Sequence, residues 1–166
     1  MVVLQFFLHL LVFTTITSPP MAFKYQSLID SFNFSVGCPD GATEIDILAY
    51  RWAHTPIGNN LNFLPNVKYD EALNVPTRAL EPTDICSRCG ASFYVTENKA
   101  RTNFSRYRTG LEKKHVDLTK RYTHLAIGQI RKKDGRATKI EKEHFGFYEY
   151  EGCDFKQSFT ILEQPL

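Results

Sequence analysis

The cationic side chains of the chain are concentrated in one stretch, where they could bind an anion. Thirteen of the 20 Lys and Arg residues lie between residues 99 and 139, and only Glu112, Asp117 and Asp134 oppose them there. The formal net charge of the whole chain is only +2, because the flanking stretches are acidic. Clustered cations attract phosphate groups and gain affinity by releasing condensed counterions. The sequence therefore predicts a nucleic acid or another phosphate-bearing ligand as the partner.

Nine of these cations are the candidate anion contacts. They lie in a segment with helical spacing and at the tip of an expected hairpin. The candidates are Lys99, Arg101, Arg106, Arg108, Lys113, Lys114, Arg131, Lys132 and Lys133. A solvated helix face and a charged turn would have the same composition, and no recognised nucleic-acid motif accompanies the charge. Binding of an anionic partner is the predicted function, and these residues do not predict an enzyme.

Cys86 and Cys89 have the spacing of the two thiolates in a zinc knuckle. Thiolates separated by two residues can reach one tetrahedral ion from a tight turn. A complete site would need further ligands, and Cys38, Cys153 or a histidine would have to supply them singly. The alternative is that all four cysteines are ordinary reduced thiols, since four are few for a domain with its own core. The sequence favours this alternative, so no metal or other cofactor is predicted.

The basic stretch begins in a segment that is predicted to form an amphipathic helix. Residues 91–95 predict a short strand before it, and Thr96 followed by Glu97 predicts a helix N-cap with an acid in the first turn. Apolar residues then recur at spacings of four, three and four, which places them on one side of a helix. This stripe consists of Ala100, Phe104, Tyr107 and Leu111. The helix is expected to pack this stripe against the core.

Strands account for most of the remaining predicted elements. Apolar and aromatic runs predict strands over residues 45–52, 123–130, 145–150 and 158–162. Residues 137–140 are expected to pair with 123–130 as a hairpin, because Asp134 and Gly135 form a turn signal between them. Residues 53–84 contain four prolines and five asparagines and predict a long loop. Strands interrupted by at least one helix indicate an α+β fold with a mostly antiparallel sheet.

The chain length and composition predict one such domain. With 166 residues and 43% hydrophobic content, the chain can enclose a single core. Residues 1–20 carry no charge and are set apart as an apolar leader or a misassigned start, so the domain covers residues 21–166. Three explanations stay open: Met21 is the true start, residues 1–20 are a signal peptide, or they associate with a membrane. The first predicts a cytoplasmic protein without membrane contact, and the second a secreted one.

Four residues suggest a second function. Arg51, Ser92, Glu149 and Glu151 occur in the order Arg, Ser, Glu-x-Glu, which resembles the Arg-Ser-Glu class of ADP-ribosyltransferases. The resemblance implies NAD as the bound anion, with Arg51 at a phosphate or ribose and Ser92 supporting the nicotinamide pocket. It implies that Glu151 stabilises the oxocarbenium-like transition state. The family's Ser-x-Ser pattern is not intact, because two aromatic residues follow Ser92. An NAD-using enzyme with these four residues is the alternative function.

A second resemblance covers most of the chain after residue 45. It rests on four stretches: YRW at 50–52, NFLP at 62–65, CGASFYVTENKA at 89–100 and HFGFYEYEG at 144–152. Together they look like small bacterial proteins of unassigned activity. This resemblance implies a compact intracellular domain and supports setting residues 1–20 apart. It implies no substrate and no catalytic residue.

Overall fold

A computed structural model describes residues 21–34, 37–75 and 81–166, so the alternatives for residues 1–20 lie outside the described residues. The helices are α1 (Gln26–Asp30), α2 (Asn66–Ala72), α3 (Pro82–Arg88), α4 (Glu97–Glu112) and α5 (Phe155–Ser158). The strands are β1 (Ile47–Ala53), β2 (Ala91–Tyr94), β3 (His124–Ile130), β4 (Gly135–Ala137), β5 (His144–Glu149) and β6 (Phe159–Pro165). A 3₁₀ turn, Lys132–Asp134, joins β3 to β4. None of the helices within these ranges has the length and hydropathy needed to cross a bilayer.

The described strands form one antiparallel sheet in the order β4-β5-β2-β1-β3-β6. At its centre β1 pairs with β3 along its full length, with Ile47 opposite Ile130 and Ala53 opposite His124. On the other side β2 pairs with β5, and β4 follows β5 at the edge. The predicted α+β class, with a mostly antiparallel sheet packed by an amphipathic helix, is confirmed.

The predicted amphipathic helix is α4. The Thr96 side chain accepts a hydrogen bond from the backbone nitrogen of Lys99 at 3.3 Å, and Glu97 provides an acid in the first turn, as the sequence predicts. Ala100 and Phe104 are buried where α4 packs on β1 and β2. Trp52 of β1 donates from Nε1 to the carbonyl oxygen of Ala100 at 3.0 Å. This bond fixes the helix against the centre of the sheet.

One face of the sheet packs on a core of phenylalanine rings. Several residues of the central strands on this face are alanines. Their small side chains leave room for the aromatic rings that pack against the sheet. Gly128 shows how close the approach is, because a Cβ atom there would lie 2.5 Å from the ring of Phe159. The phenylalanine core consists of Phe63, Phe93, Phe145, Phe147, Phe155 and Phe159. The opposite face carries Tyr and Trp and is covered by α4.

The predicted hairpin between residues 123–130 and 137–140 is wrong. β3 pairs with β1 and β6, whereas β4 pairs with β5 at one edge of the sheet. Asp134 and Gly135 do form a turn, but this turn connects two strands that are not neighbours. A turn signal in the sequence does not specify which strands pair. The partner of a strand depends on which of the two faces of that strand is buried in the folded protein.

The predicted loop over residues 53–84 contains two short helices, α2 and α3. Pro65 directly precedes α2, and Pro82 is the first residue of α3. Proline is well suited to a helix start, since its fixed φ is helical and the missing N–H has no partner there. Pro65 and Pro82 therefore mark where helices begin, and the composition excludes only long elements.

Candidate functional site

A cavity of about 220 Å³ lies where β1 and β2 separate, and we call it the β1–β2 cleft. In the pairing of these two strands Tyr50 lies opposite Tyr94. Beyond this pair the side chain of Arg51 links β1 to β2. Arg51 donates from Nη1 to the carbonyl oxygen of Ser92 at 2.8 Å and from Nη2 to that of Leu64 at 2.8 Å. The guanidinium of Arg51 therefore occupies the position where the sheet opens.

Arg51 is a buried cation without a close counterion. Its relative exposure is 2%, and among the described residues no carboxylate lies within 4.0 Å of its guanidinium. Its Nε is buried and has no hydrogen-bond partner in the described part of the chain. The rings of Phe93 and Phe63 lie 5.2 and 5.9 Å from the guanidinium carbon and stabilise the charge in part. A buried charge of this kind is costly unless an anion compensates it.

A second arginine of the cleft, Arg88 at the end of α3, also has an unpaired atom. It forms an ion pair with Asp70 of α2, which ties the two short helices together. Its Nε is buried and makes no hydrogen bond within the described ranges. Next to it, Asn66 donates from Nδ2 to Oγ of Ser92 at 2.9 Å. The polar side of the cleft therefore has two guanidinium groups with unused donors and one carboxylate.

Aromatic side chains form the other walls of the cleft. The ring of Trp52 stacks on that of Tyr107 with centroids 5.2 Å apart, and lies 5.4 Å from the ring of Tyr94. Tyr69 and Tyr122 stack at 4.3 Å with an angle of 12° between the ring planes, and the ring of Tyr122 lies 6.0 Å from that of Trp52. All five rings line the cavity. Flat aromatic walls beside cations suit a ligand that carries both a planar ring and a negative charge.

Burial keeps the polar groups around these rings neutral. Desolvation raises the pKa of Tyr94 to about 12 and that of Tyr122 to about 12, so both hydroxyls stay protonated near neutral pH. Behind Tyr69, the Nε2 of His54 lies 3.2 Å from the Tyr69 hydroxyl, and burial lowers the pKa of this histidine. These groups therefore provide no counterion to Arg51 near neutral pH.

The four residues of the NAD alternative are only partly brought together. Arg51 and Ser92 both line the β1–β2 cleft. Glu149 is buried beside the N-terminal segment, where Lys24 donates to its Oε2 at 2.7 Å and its Oε1 has no partner among the described groups. Burial raises the pKa of Glu149 although the charges of Lys24 and Arg51 oppose this. Glu151 lies in an exposed turn after β5. Neither glutamate is among the residues that line the cleft.

The nine candidate anion contacts lie in two separate places. Arg101 of α4 donates to the carbonyl oxygen of Pro165, which pairs with His124 at the start of β3. Arg131 follows Ile130 at the other end of β3. A strand of seven residues is about 20 Å long, so this distance separates Arg131 and the turn after it from the Arg101 end of the strand. Arg101 and Arg108 are also engaged in ion pairs with Glu97 and Glu112. The two groups of cations do not form one platform, and anion binding by either group stays a prediction.

Cys86 and Cys89 are not arranged as a pair of metal ligands. Cys86 forms a disulfide with Cys38, which links α3 to the segment before β1. Cys89 is a free, buried thiol, and desolvation raises its pKa to about 11. No group of three or more potential ligands in the described residues could hold a metal ion. The expectation of four reduced thiols is not met at Cys38 and Cys86.

Several residues of the cleft were missed by reasoning from the sequence. In the sequence, Trp52 falls in a predicted strand and Tyr69 in a predicted loop, and Arg88 lies between the two cysteines of the knuckle spacing. Tyr107 was assigned to the apolar stripe of the helix, where its ring does lie. The residue types alone could have indicated the cleft. Leu or Phe would fill an apolar stripe equally well, whereas Tyr and Trp also bring polar atoms into it.

The chain matches no protein-family model, no curated protein and no solved structure. The fold and the cleft alone therefore define its class: an α+β protein with an aromatic, arginine-lined cavity at an opening in its sheet.

Proposed function

We propose that the protein binds a phosphate-bearing ligand with a planar ring, of the nucleotide class, in the β1–β2 cleft. The observation that carries this proposal is the buried Arg51 guanidinium, which has no carboxylate within ion-pair distance in the described residues and has an unpaired Nε. An anionic group in the cleft would compensate the buried charge of Arg51, with the guanidinium of Arg88 beside it. The ring would stack on the aromatic walls, as bases do on Trp and Tyr.

The size of the cavity limits what it can enclose. A volume of about 220 Å³ is below the range of roughly 300–1,000 Å³ that encloses a whole drug-sized ligand. The cleft therefore suits one ring with its anionic group, while the remainder of a larger ligand would extend beyond it. Nucleic acid, the other partner predicted from the sequence, would bind through the exposed cations, and this requires no cavity.

The fluorescence of Trp52 gives a direct test, because the chain contains one tryptophan and it lines the cleft. Titration with adenosine 5′-monophosphate is expected to change this fluorescence saturably. Arg88→Gln removes one cation and should weaken binding about tenfold or more, since a hydrogen bond to a charged group contributes roughly 1.5–3 kcal/mol. Arg51→Met tests the second cation, with circular dichroism to verify that the variant is folded.

Arg106→Gln is the matched control. Arg106 is an exposed cation of α4 with no ion pair among the described residues. Its substitution lowers the net charge as much as Arg88→Gln does, so it should leave the nucleotide affinity unchanged. Equal losses in the two variants, or no saturable signal with the nucleotide, would overturn the proposal in favour of the exposed surface or of neither site.

NAD belongs to the same ligand class, and turnover would distinguish the enzyme alternative from binding alone. Arg51 and Ser92 fit that alternative because both line the cleft. Its chemistry needs a carboxylate at the bond that breaks, and Glu149 and Glu151 lie outside the cleft lining. Release of nicotinamide from NAD that stops with Glu151→Gln would establish the enzyme.

The cytoplasm is the proposed compartment, with secretion as the alternative. The Cys38 to Cys86 disulfide favours the alternative, because disulfides persist mainly in oxidising compartments.

A further inference from the structure

A second cavity, of about 230 Å³, adjoins the β1–β2 cleft. Tyr107 and Tyr122 line both cavities and form the boundary between them. The far side of the second cavity is largely apolar, with Phe104 and Leu111 from α4 and Leu118 from the segment before β3. A ligand that spans both cavities would occupy a space in the range of roughly 300–1,000 Å³ that encloses a whole small-molecule ligand.

Arg121 is located at this boundary. It lines the second cavity, is only 7% exposed, and lies against the hydroxyls of Tyr69 and Tyr107, which line the cleft. No carboxylate in the described part of the chain forms an ion pair with it. It is therefore a second buried cation, after Arg51, and it lies at the boundary between the two cavities.

We propose that the second cavity binds an apolar substituent on the phosphate of the ligand in the cleft. This inference rests on the proposed function and names its substrate class: a nucleotide whose phosphate is esterified with an apolar or aromatic group. The base stacks in the cleft, the phosphate lies near the boundary where Arg121 adds to the charge of Arg51 and Arg88, and the substituent packs against Leu111 and Leu118. An esterified phosphate keeps one negative charge, which these cations compensate.

The test compares two esters of adenosine 5′-monophosphate that have the same charge. The 5′-methyl and 5′-phenyl phosphodiesters are titrated separately by calorimetry into the full chain. The phenyl ester should bind at least about tenfold more tightly, because burial of its ring removes apolar surface from water. Equal affinities of the two esters would overturn this inference while leaving the proposed function intact. If neither ester nor adenosine 5′-monophosphate binds, the proposed function itself fails.

Variants localise the preference to the second cavity. Leu111→Asn makes the lining polar and should reduce the preference for the phenyl ester to about threefold or less. This substitution is tolerable for folding, since Leu111 is half-buried in the last turn of α4. Ile140→Asn is the control, because Ile140 is an exposed apolar residue outside both cavities. A preference that survives Leu111→Asn unchanged would contradict the assignment, as would its loss in Ile140→Asn.

Discussion

The two faces of the sheet use aromatic side chains for different purposes. The phenylalanine core is closed: Phe93 touches the rings of Phe145, Phe147, Phe155 and Phe159 at centroid distances of 5.6 to 6.0 Å. In the β1–β2 cleft the rings are Tyr and Trp, and they border a cavity. Phenylalanine needs no polar partner, so it can fill space completely, whereas Tyr and Trp also present donors and acceptors to a ligand. We therefore expect the phenylalanine core to contribute mainly to stability, and the Tyr and Trp rings of the cleft to contribute mainly to the proposed binding.

The largest effect that tests this comparison is the loss of a ring from the phenylalanine core. Phe93→Ala should lower the free energy of unfolding by about 3–5 kcal/mol, because it removes buried apolar area and leaves a cavity. Tyr107→Ala in the cleft should cost less than half as much, since this ring is half-buried and already borders a cavity. Urea denaturation of the two variants measures both values. Equal costs would show that the cleft is as much a part of the stabilising core as the other face.

The disulfide should have the next largest effect, and it acts on the cleft side. It closes a long segment, because Cys38 and Cys86 are 48 residues apart in the sequence, and it restrains α3, which carries Arg88. Cys38→Ser should destabilise the oxidised protein by about 2–4 kcal/mol. Denaturation with and without a reducing agent measures this, and the difference should vanish in the presence of the reductant.

Cys153→Ser is the control for this experiment, because Cys153 is a free thiol. Thiol titration of the denatured wild-type protein provides an independent check. Two reactive thiols, those of Cys89 and Cys153, are expected, and four would show that Cys38 and Cys86 are not joined.

The smallest effect concerns the histidine behind the cleft. Burial lowers the pKa of His54 below its usual value of 6.5. The unfolded chain then takes up a proton at a higher pH than the folded protein does. The stability that neutral His54 contributes is therefore complete above pH 6.5 and is lost as the pH falls through its folded-state pKa. Stability should fall between about pH 7 and about pH 5.5, and His54→Gln should reduce this fall.

His144 must be included in the measurement, because burial and the charge of Lys99 lower its pKa in the same direction. In the variant His144→Gln, the remaining histidine contribution to the fall in stability should therefore be that of His54. Urea midpoints of the wild type and both variants at the two pH values separate the contributions. Burial raises the pKa of Glu149, which acts in the opposite direction as the pH falls, so the comparison between variants is decisive. A pH dependence of the midpoint that is the same in the wild type and in His54→Gln would contradict the neutral, buried state of His54.

The strands and α4 could be predicted from the sequence to within a few residues, whereas the short helices α1, α2, α3 and α5 are not among the predicted elements. Thr96 and Glu97 signal the start of α4, and the recurrence of Ala100, Phe104 and Tyr107 sets its buried side. The strands of the sheet follow from apolar runs bounded by turn residues. These features depend on neighbours in the chain, which is why propensity and periodicity reveal them. The hairpin failed for the same reason, because a turn signal specifies a turn and not the strand that lies beside it.

The amino-acid sequence by itself determined the α+β class, the amphipathic helix and the concentration of cations between residues 99 and 139. Only the tertiary structure decided which strands are neighbours, and thereby that Arg51, Arg88 and Tyr107 meet at one cavity while the cations of α4 and the β3–β4 turn stay apart. Periodicity shows which side chains of one element share a face. The position of that face relative to distant segments is decided by the burial of all apolar surfaces together, and this is a property of the whole chain.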